Sequence, residues 1–233
     1  MPVRMIMCAA KEPLSIQIHP DDGYALAHEG MRGKAEGSRV LDRDEDFCML
    51  HGHFAKTLEE FKALAEARDW KTLCRYISPR TGEYIHIPHG TLHAFGPGAV
   101  VIAFSVNGDV TYRLYDYDRN IDNRPLHVEK VIDNVNIPDK LVEPYRALPE
   151  ETDGCRIFRY HDEPGVYSCG RVQTAGERGF FGMEEFCFVT CVNGSGSING
   201  RCAQMGESFF IPAHSGPVEL RGTLDLTYIT YRA

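Results

Sequence analysis

Along most of the chain, apolar positions come in short runs or in strict alternation with polar ones, and Gly, Pro, Asn or Asp separates the runs. Leu14–His19, Glu83–Ile87, Ala99–Val106, Thr111–Tyr115, Glu185–Val192, Ser208–Ile211 and Leu224–Tyr231 all follow this pattern. A period of two bounded by turn residues predicts half-buried β-strands, and many such runs in sequence predict a sandwich or barrel. Residues 57–77 break the pattern. Thr57-Leu-Glu-Glu60 has the form of a capping box, Leu58, Phe61, Leu64 and Ala65 recur at helical spacing, and Asp69 stands where a second short helix through Trp70, Leu73 and Cys74 would need its cap. The expectation is an all-β protein with a short helical insertion at about 57–77. A second change falls at residues 136–154, where three prolines and many charges interrupt the strand pattern. We read 136–153 as a connector between a domain at 1–135 and another at 154–233.

Composition narrows the function without naming it. With 233 residues, 43% of them apolar and 25% charged, the chain is an ordinary globular protein. A formal charge of −8 and the lack of a Lys/Arg cluster argue against nucleic acid. No apolar run is long enough for a membrane helix, and the start MPVRMIMCAAKEPL lacks a signal peptide's apolar core, so a cytoplasmic protein is expected. The eight cysteines are scattered, contain no CxxC pair and sit mostly in strand-like runs, which suits buried free thiols.

Two segments repeat each other. Residues 82–90 read GEYIHIPHG and residues 206–214 read GESFFIPAH. Self-similarity at a fixed separation implies one architecture used twice. Both resemble the second conserved motif of the cupin superfamily, G-x5-P-x-G-x2-H. The first copy matches throughout, at Gly82, Pro88, Gly90 and His93, whereas the second has His214 in place of the turn glycine and Pro217 in place of the histidine. The fold expected is therefore two cupin (jelly-roll) barrels, with residues 82–93 forming a hairpin that aims His93 at a metal ion and the second barrel lacking a site. Gln17-Ile-His19 is a strand i, i+2 pair with both side chains on one face, similar to the H-x-H of the first cupin motif. His19 and His93 with a carboxylate would make a zinc site of the catalytic kind. His86 and His89 have a helix's spacing from His93, not a strand's, and are read as surface or supporting residues.

A longer resemblance follows from KEPLSIQIHPDDGYA (11–25), GKAE (33–36), IPHGTLHAFG (87–96) and TYRLYDYDR (111–119), which in order and spacing look like the type I phosphomannose isomerases. The tail Glu185–Tyr231 is similar to that family's C-terminal cupin domain. The resemblance implies a metal-dependent aldose–ketose isomerase acting on mannose 6-phosphate and fructose 6-phosphate through a cis-enediol, with one Zn2+ held by Gln17, His19, Glu36 and His93. Glu36 comes from the resemblance alone. Lys34 and Arg113 match the family's active-site cations, which suits the negative charge that builds on O1 and O2 as a proton moves between C1 and C2. Outside its motif, Arg113 would read as a strand arginine paired to Asp116 or Asp118.

Two departures stand against this pattern. The family has several dozen residues before its KEPLS-type segment, so the chain reads as a fragment, as having a misassigned start, or as a barrel of fewer strands. An incomplete barrel exposes sheet edges and invites a homodimer. The family also carries a glutamate ten residues before the arginine of its TYRLYD-type motif, and this position is Ala103. A non-catalytic or regulatory cupin that binds metal and a sugar phosphate is the competing reading.

Overall fold

The computed structural model describes residues 1–119, 124–174 and 177–232. It divides into two compact units, Ile6–Tyr145 and Met1–Met5 with Arg146–Ala233. The division falls inside the proline-rich stretch read as a connector, and the first five residues group with the C-terminal unit.

The strands of the first unit are β1 (Val3–Ala9, of which Ile6 onward belongs to this unit), β2 (Ile16–Ile18), β3 (Glu36–Arg43), β4 (Met49–His53), β5 (Cys74–Ile77), β6 (Tyr84–Ile87), β7 (His93–Phe95), β8 (Ala99–Val106) and β9 (Tyr112–Tyr115). They form a four-stranded sheet of order β1-β8-β3-β6 and a five-stranded sheet of order β5-β4-β7-β2-β9. The two sheets share an interior. Strand alternation sends Val40, Met49, Ile85, Ile87, Phe95 and Val101 into one buried apolar cluster drawn from both sheets. The alternate residues of the five-stranded sheet, among them Ile16, Ile18, Leu50, Ala94 and Leu114, join a separate cluster with the helical residues Ala25, Phe61 and Val131. Helices therefore cover the outer face of that sheet, and the period-two pattern is explained by a different apolar layer on each side.

The helical insertion is shorter than the sequence suggested. Helices α2 (Leu58–Glu66) and α3 (Trp70–Leu73) end at Leu73, and Cys74–Ile77 is instead β5, paired with β4. Leu73 and Cys74 are buried as the chain turns into the sheet, so pairing with β4 overrides the helical spacing. Thr57 caps α2 by accepting from the Glu60 N–H at 3.2 Å, while the Glu60 carboxylate reaches back one residue further than in a capping box, to the Lys56 N–H at 2.7 Å. Asp69 caps α3 through the Thr72 N–H. Two further helices escaped the pattern, α1 (Asp22–Glu29) and α4 (Val128–Asn134).

Residues 82–93 do not form a hairpin. Strand β6 pairs with β3 in one sheet and β7 pairs with β4 and β2 in the other, so the Pro88–Leu92 turn is a corner carrying the chain between sheets. Gly90 makes the corner possible. Its φ is +73°, and a Cβ there would meet the Asn134 carbonyl oxygen at 2.4 Å. The Gly90 N–H donates to the His19 carbonyl at 2.8 Å, which ties the corner to the end of β2.

The second unit carries β10 (Glu150–Thr152), β11 (Cys155–Glu163), β12 (Tyr167–Thr174), β13 (Arg178–Phe181), β14 (Cys187–Ile198), β15 (Arg201–Gln204), β16 (Ser208–Ile211) and β17 (Val218–Thr230). They join in one antiparallel sheet around β12, β17 and β14, closing over an apolar core of Phe181, Val189, Ile211, Leu220, Leu226 and Tyr228. Asn199 and Gly200, both at positive φ, form the tight turn between β14 and β15. All eight cysteines are free thiols, five of them buried.

Candidate metal centre

The ladder of the five-stranded sheet sets four side chains in a row. His51 on β4 lies opposite His93 on β7, His93 opposite Gln17 on β2, and Gln17 opposite Arg113 on β9. Directly opposed residues share a face, so all four side chains stand on the inner side of the sheet. His19 follows Gln17 by two residues and shares its side. Across the interior, Glu36 on β3 lies opposite Ser105 on β8.

His19, Glu36 and His93 meet, all buried, with one ligand atom of each within 4.8 Å of the others. The Glu36 carboxylate lies 3.2 Å from His93 Nε2 and 3.5 Å from His19 Nε2. Both imidazoles are oriented from behind. His19 Nδ1 donates to the Val110 carbonyl at 2.8 Å and His93 Nδ1 to the Thr91 carbonyl at 2.9 Å. Donating at Nδ1 leaves the Nε2 lone pair of each ring facing Glu36, which is the arrangement that metal-bound histidines adopt. The Gln17 amide lies 3.5 Å from His93 Nε2. An amide exchanges its O and N ends by a half-turn, so its oxygen can face the centre when a cation is there. Two imidazoles, a carboxylate and an amide oxygen suit a divalent ion, and the group fits this site.

Lys34 supplies a fixed positive charge, its Nζ lying 2.7 Å from Glu36 and 3.2 Å from His19 Nε2. Burial would raise the Glu36 carboxyl, but the neighbouring histidine and Lys34 charges and the imidazole hydrogen bonds outweigh it and hold Glu36 well below its usual range. Burial pushes His19 down to about 4, so its ring is neutral at neutral pH.

Arg113 is not paired to Asp116 or Asp118 through any hydrogen bond among the described residues, and its Nε is buried without a partner. Burial and the nearby Arg124 guanidinium lower its pKa. Asp118 instead binds Arg68 at the surface, and Asp116 binds Ser15 and Arg119. His51 was missed by sequence reasoning, although it is fully buried in the same row and its Nε2 donates to the His86 carbonyl at 3.0 Å across the interior. Alternation of His51 with His53 around Gly52 was the available signal. His89 acts through its carbonyl, which accepts from Asn136 Nδ2.

A two-sheet β-barrel with two imidazoles and a carboxylate converging from its walls is a cupin whose inner residues could hold a metal ion. No family model matches the sequence. Among individual proteins, it is 35% identical over 234 residues to "Probable mannose-6-phosphate isomerase GmuF" of Bacillus subtilis, covering 96% of this chain and 73% of that one. It is 31% identical to the mannose-6-phosphate isomerase ManA of the same organism, covering 91% of this chain and 70% of that one. The crystal structure of the mannose 6-phosphate isomerase from Bacillus subtilis superposes with a TM-score of 0.91 at 30% identity, covering 98% of this chain and 75% of that one. The chain belongs to the mannose-6-phosphate isomerase family.

Proposed function

We propose that this chain is a metal-dependent aldose–ketose isomerase interconverting mannose 6-phosphate and fructose 6-phosphate, with Zn2+ held by Gln17, His19, Glu36 and His93. The observation that carries the reading is the convergence of two Nε2 lone pairs on a buried carboxylate, beside Lys34 and in one row with Arg113. A divalent cation there would polarise the carbonyl and hydroxyl oxygens at C1 and C2. The chain's own residues supply the rest. Lys34 and Arg113 present fixed positive charge to oxygens that become negative as the proton leaves C2, and the low exposure of the Lys34 side chain limits its screening by water. Carbonyl hydrogen bonds at Nδ1 stop the two imidazoles from rotating, which saves reorganisation during turnover. We also assign the protein to the cytoplasm. Eight free thiols support a reducing compartment, and no helix among the described residues is long and apolar enough to cross a membrane.

A binding-only cupin is the second reading, and Ala103 favours it. Ala103 lies opposite Ser38 on the inner side of β8, two residues from the Ser105 that faces Glu36, so the interior has no carboxylate at the position where the family's glutamate would stand. A coupled assay for fructose 6-phosphate formed from mannose 6-phosphate, with zinc and then with EDTA, separates the two. The isomerase reading expects EDTA-sensitive turnover and, in D2O, deuterium entering the product from solvent. A folded, zinc-loaded preparation without turnover would sink it.

A further inference from the structure

The corner at Pro88–Leu92 is gripped by the segment that follows α4. The Asn136 N–H donates to the Gly90 carbonyl at 3.0 Å, its side-chain Nδ2 donates to the His89 carbonyl at 2.6 Å, and its own carbonyl accepts from His53 Nε2 at 2.8 Å. Further along, Asp139 Oδ2 accepts from the His53 N–H at 3.3 Å and pairs with the Arg75 guanidinium, the Asp139 side chain being only 1% exposed. Gly52, at φ +86°, makes room for this pair, since a Cβ there would strike both Asp139 Oδ2 and Arg75 Nη2. Residues 136–139 therefore form a strap, fastened to β4 at one end and to the corner at the other.

What the corner holds in turn is the metal centre. The His89 carbonyl and the Gly90 N–H are two ends of one planar peptide, so fixing the carbonyl fixes where the N–H points. That N–H donates to the His19 carbonyl at 2.8 Å. The next peptide has its Gly90 carbonyl on Asn136 and its Thr91 N–H on the Pro88 carbonyl at 3.1 Å, which closes the turn. The peptide after it presents the Thr91 carbonyl, to which His93 Nδ1 donates at 2.9 Å. Both imidazoles are thus reached from Asn136 through consecutive peptide planes, and hydrogen bonds linked in this way polarise one another.

We infer that Asn136 is a positioning residue for the metal centre, its grip on the corner keeping His19 and His93 in the arrangement that receives an ion, so that docking of the strap and binding of the ion reinforce each other. The inference rests on the proposed function for its ligand set. Linkage makes the effect reciprocal, because whatever the docked strap adds to metal affinity, the bound metal adds to strap docking. Asn136 is exposed and belongs to neither apolar cluster of the barrel, so shortening its side chain opens no cavity in the core.

The experiment compares the wild type, Asn136→Ala and Asn136→Gln as full chains. Zinc affinity is measured by competition with a chromophoric chelator, the imidazole rings of the metal-free proteins by long-range proton–nitrogen NMR, and opening of residues 134–139 by hydrogen–deuterium exchange with zinc and with EDTA. Asn136→Ala is expected to weaken zinc binding roughly three- to tenfold, the contribution of one neutral hydrogen bond. It is also expected to shift the ring signals of His19 and His93 but not that of His28, which bonds to the Tyr24 carbonyl on α1. Asn136→Gln keeps the amide donor and is expected to recover most of the affinity, which a loss of general stability would not predict. In the wild type, zinc is expected to slow exchange of the strap by a similar factor, and by less in Asn136→Ala. Unchanged zinc affinity in Asn136→Ala, or strap exchange that ignores zinc, overturns the inference. A wild type that binds no zinc refutes the proposed metal centre, and the ring signals then decide the positioning role alone: it stands if His19 and His93 shift in metal-free Asn136→Ala and falls if they do not.

Discussion

Replacing Glu36 by Gln tests the charge arrangement on which the centre depends. The change is nearly isosteric, so it removes a charge and leaves the packing. Glu36 is 5% exposed, and the side chain of Lys34, whose ammonium lies 2.7 Å away, is only 12% exposed. Taking one partner from a buried ion pair costs about 3–5 kcal/mol, because the remaining charge stays desolvated. The Lys34 side chain is long enough to carry its ammonium toward water, so the lower end, about 3 kcal/mol, is expected. Urea denaturation of metal-free protein measures this directly. A Lys34→Met change added to Glu36→Gln should recover part of the loss, since the double variant has no orphaned ammonium, and the cycle should give a coupling of about 1–3 kcal/mol. Metal affinity should fall by more than the 10–100-fold typical of losing a residue that merely supports a ligand. A Glu36→Gln protein with an unchanged urea midpoint and a full equivalent of tightly held metal would refute both the pairing and the ligand assignment.

Acidification should weaken the metal-free protein. His19 has a folded pKa of about 4, below the ordinary value of 6.5, so between those values the unfolded chain binds a proton that the folded one does not. Stability therefore rises with pH across this window and is lost as pH falls from 6.5 toward 4, by up to about 3 kcal/mol, and a urea series at several pH values should flatten in a His19→Gln variant. Phe61→Ala should cost about 3–5 kcal/mol, because Phe61 is fully buried in the cluster between the helices and the five-stranded sheet, and thermal melting would show it. Gly90→Ala should destabilise well beyond Gly82→Ala. Both glycines have positive φ, but a Cβ at Gly82 meets nothing within 4 Å whereas at Gly90 it strikes the Asn134 carbonyl. Gly82→Ala should cost about 1–2 kcal/mol from backbone strain alone, and equal losses in the two would mean that the corner is not tightly packed.

The residues of the centre were legible because their chemistry is local. Gln17 and His19 are two apart on one strand, and Pro88, Gly90 and His93 carry their spacing in a single motif. Glu36 was not, since a carboxylate on a buried strand has no local mark, and only its meeting with His93 from the opposite sheet reveals it. The corner at Pro88–Leu92 looked like a hairpin for a related reason. Turn residues state that the chain reverses, but not whether the next strand pairs with the last one or joins another sheet. Helix α1 had readable signals that the strand pattern masked, an Asp21 cap bonded to the Tyr24 N–H and Gly30 at φ +65° closing it. Helix α4 had none, because His127 makes no side-chain cap bond. Its place is set by pairing with β9, a contact between distant segments.

The two units show what a polar interior costs and where it is tolerated. In the second unit the repeat segment Gly206–His214 has the same strand and turn, yet the core beneath it is Val189, Ile211, Leu220, Leu226 and Tyr228, and His214 lies out in solvent at positive φ. Every buried side chain in that cluster contributes apolar burial. In the first unit the apolar cluster takes only part of the interior, and the remainder holds Glu36, His19, His93 and His51, each of which must be hydrogen-bonded or ionically paired to be there at all. Those partners come from elsewhere, from the Val110 and Thr91 carbonyls, the His86 carbonyl and Lys34. A metal site in this fold thus requires more than its ligands. It needs loops whose carbonyls aim inward, and the second copy, with Pro217 at the histidine's position, would not gain a site by Pro217→His alone.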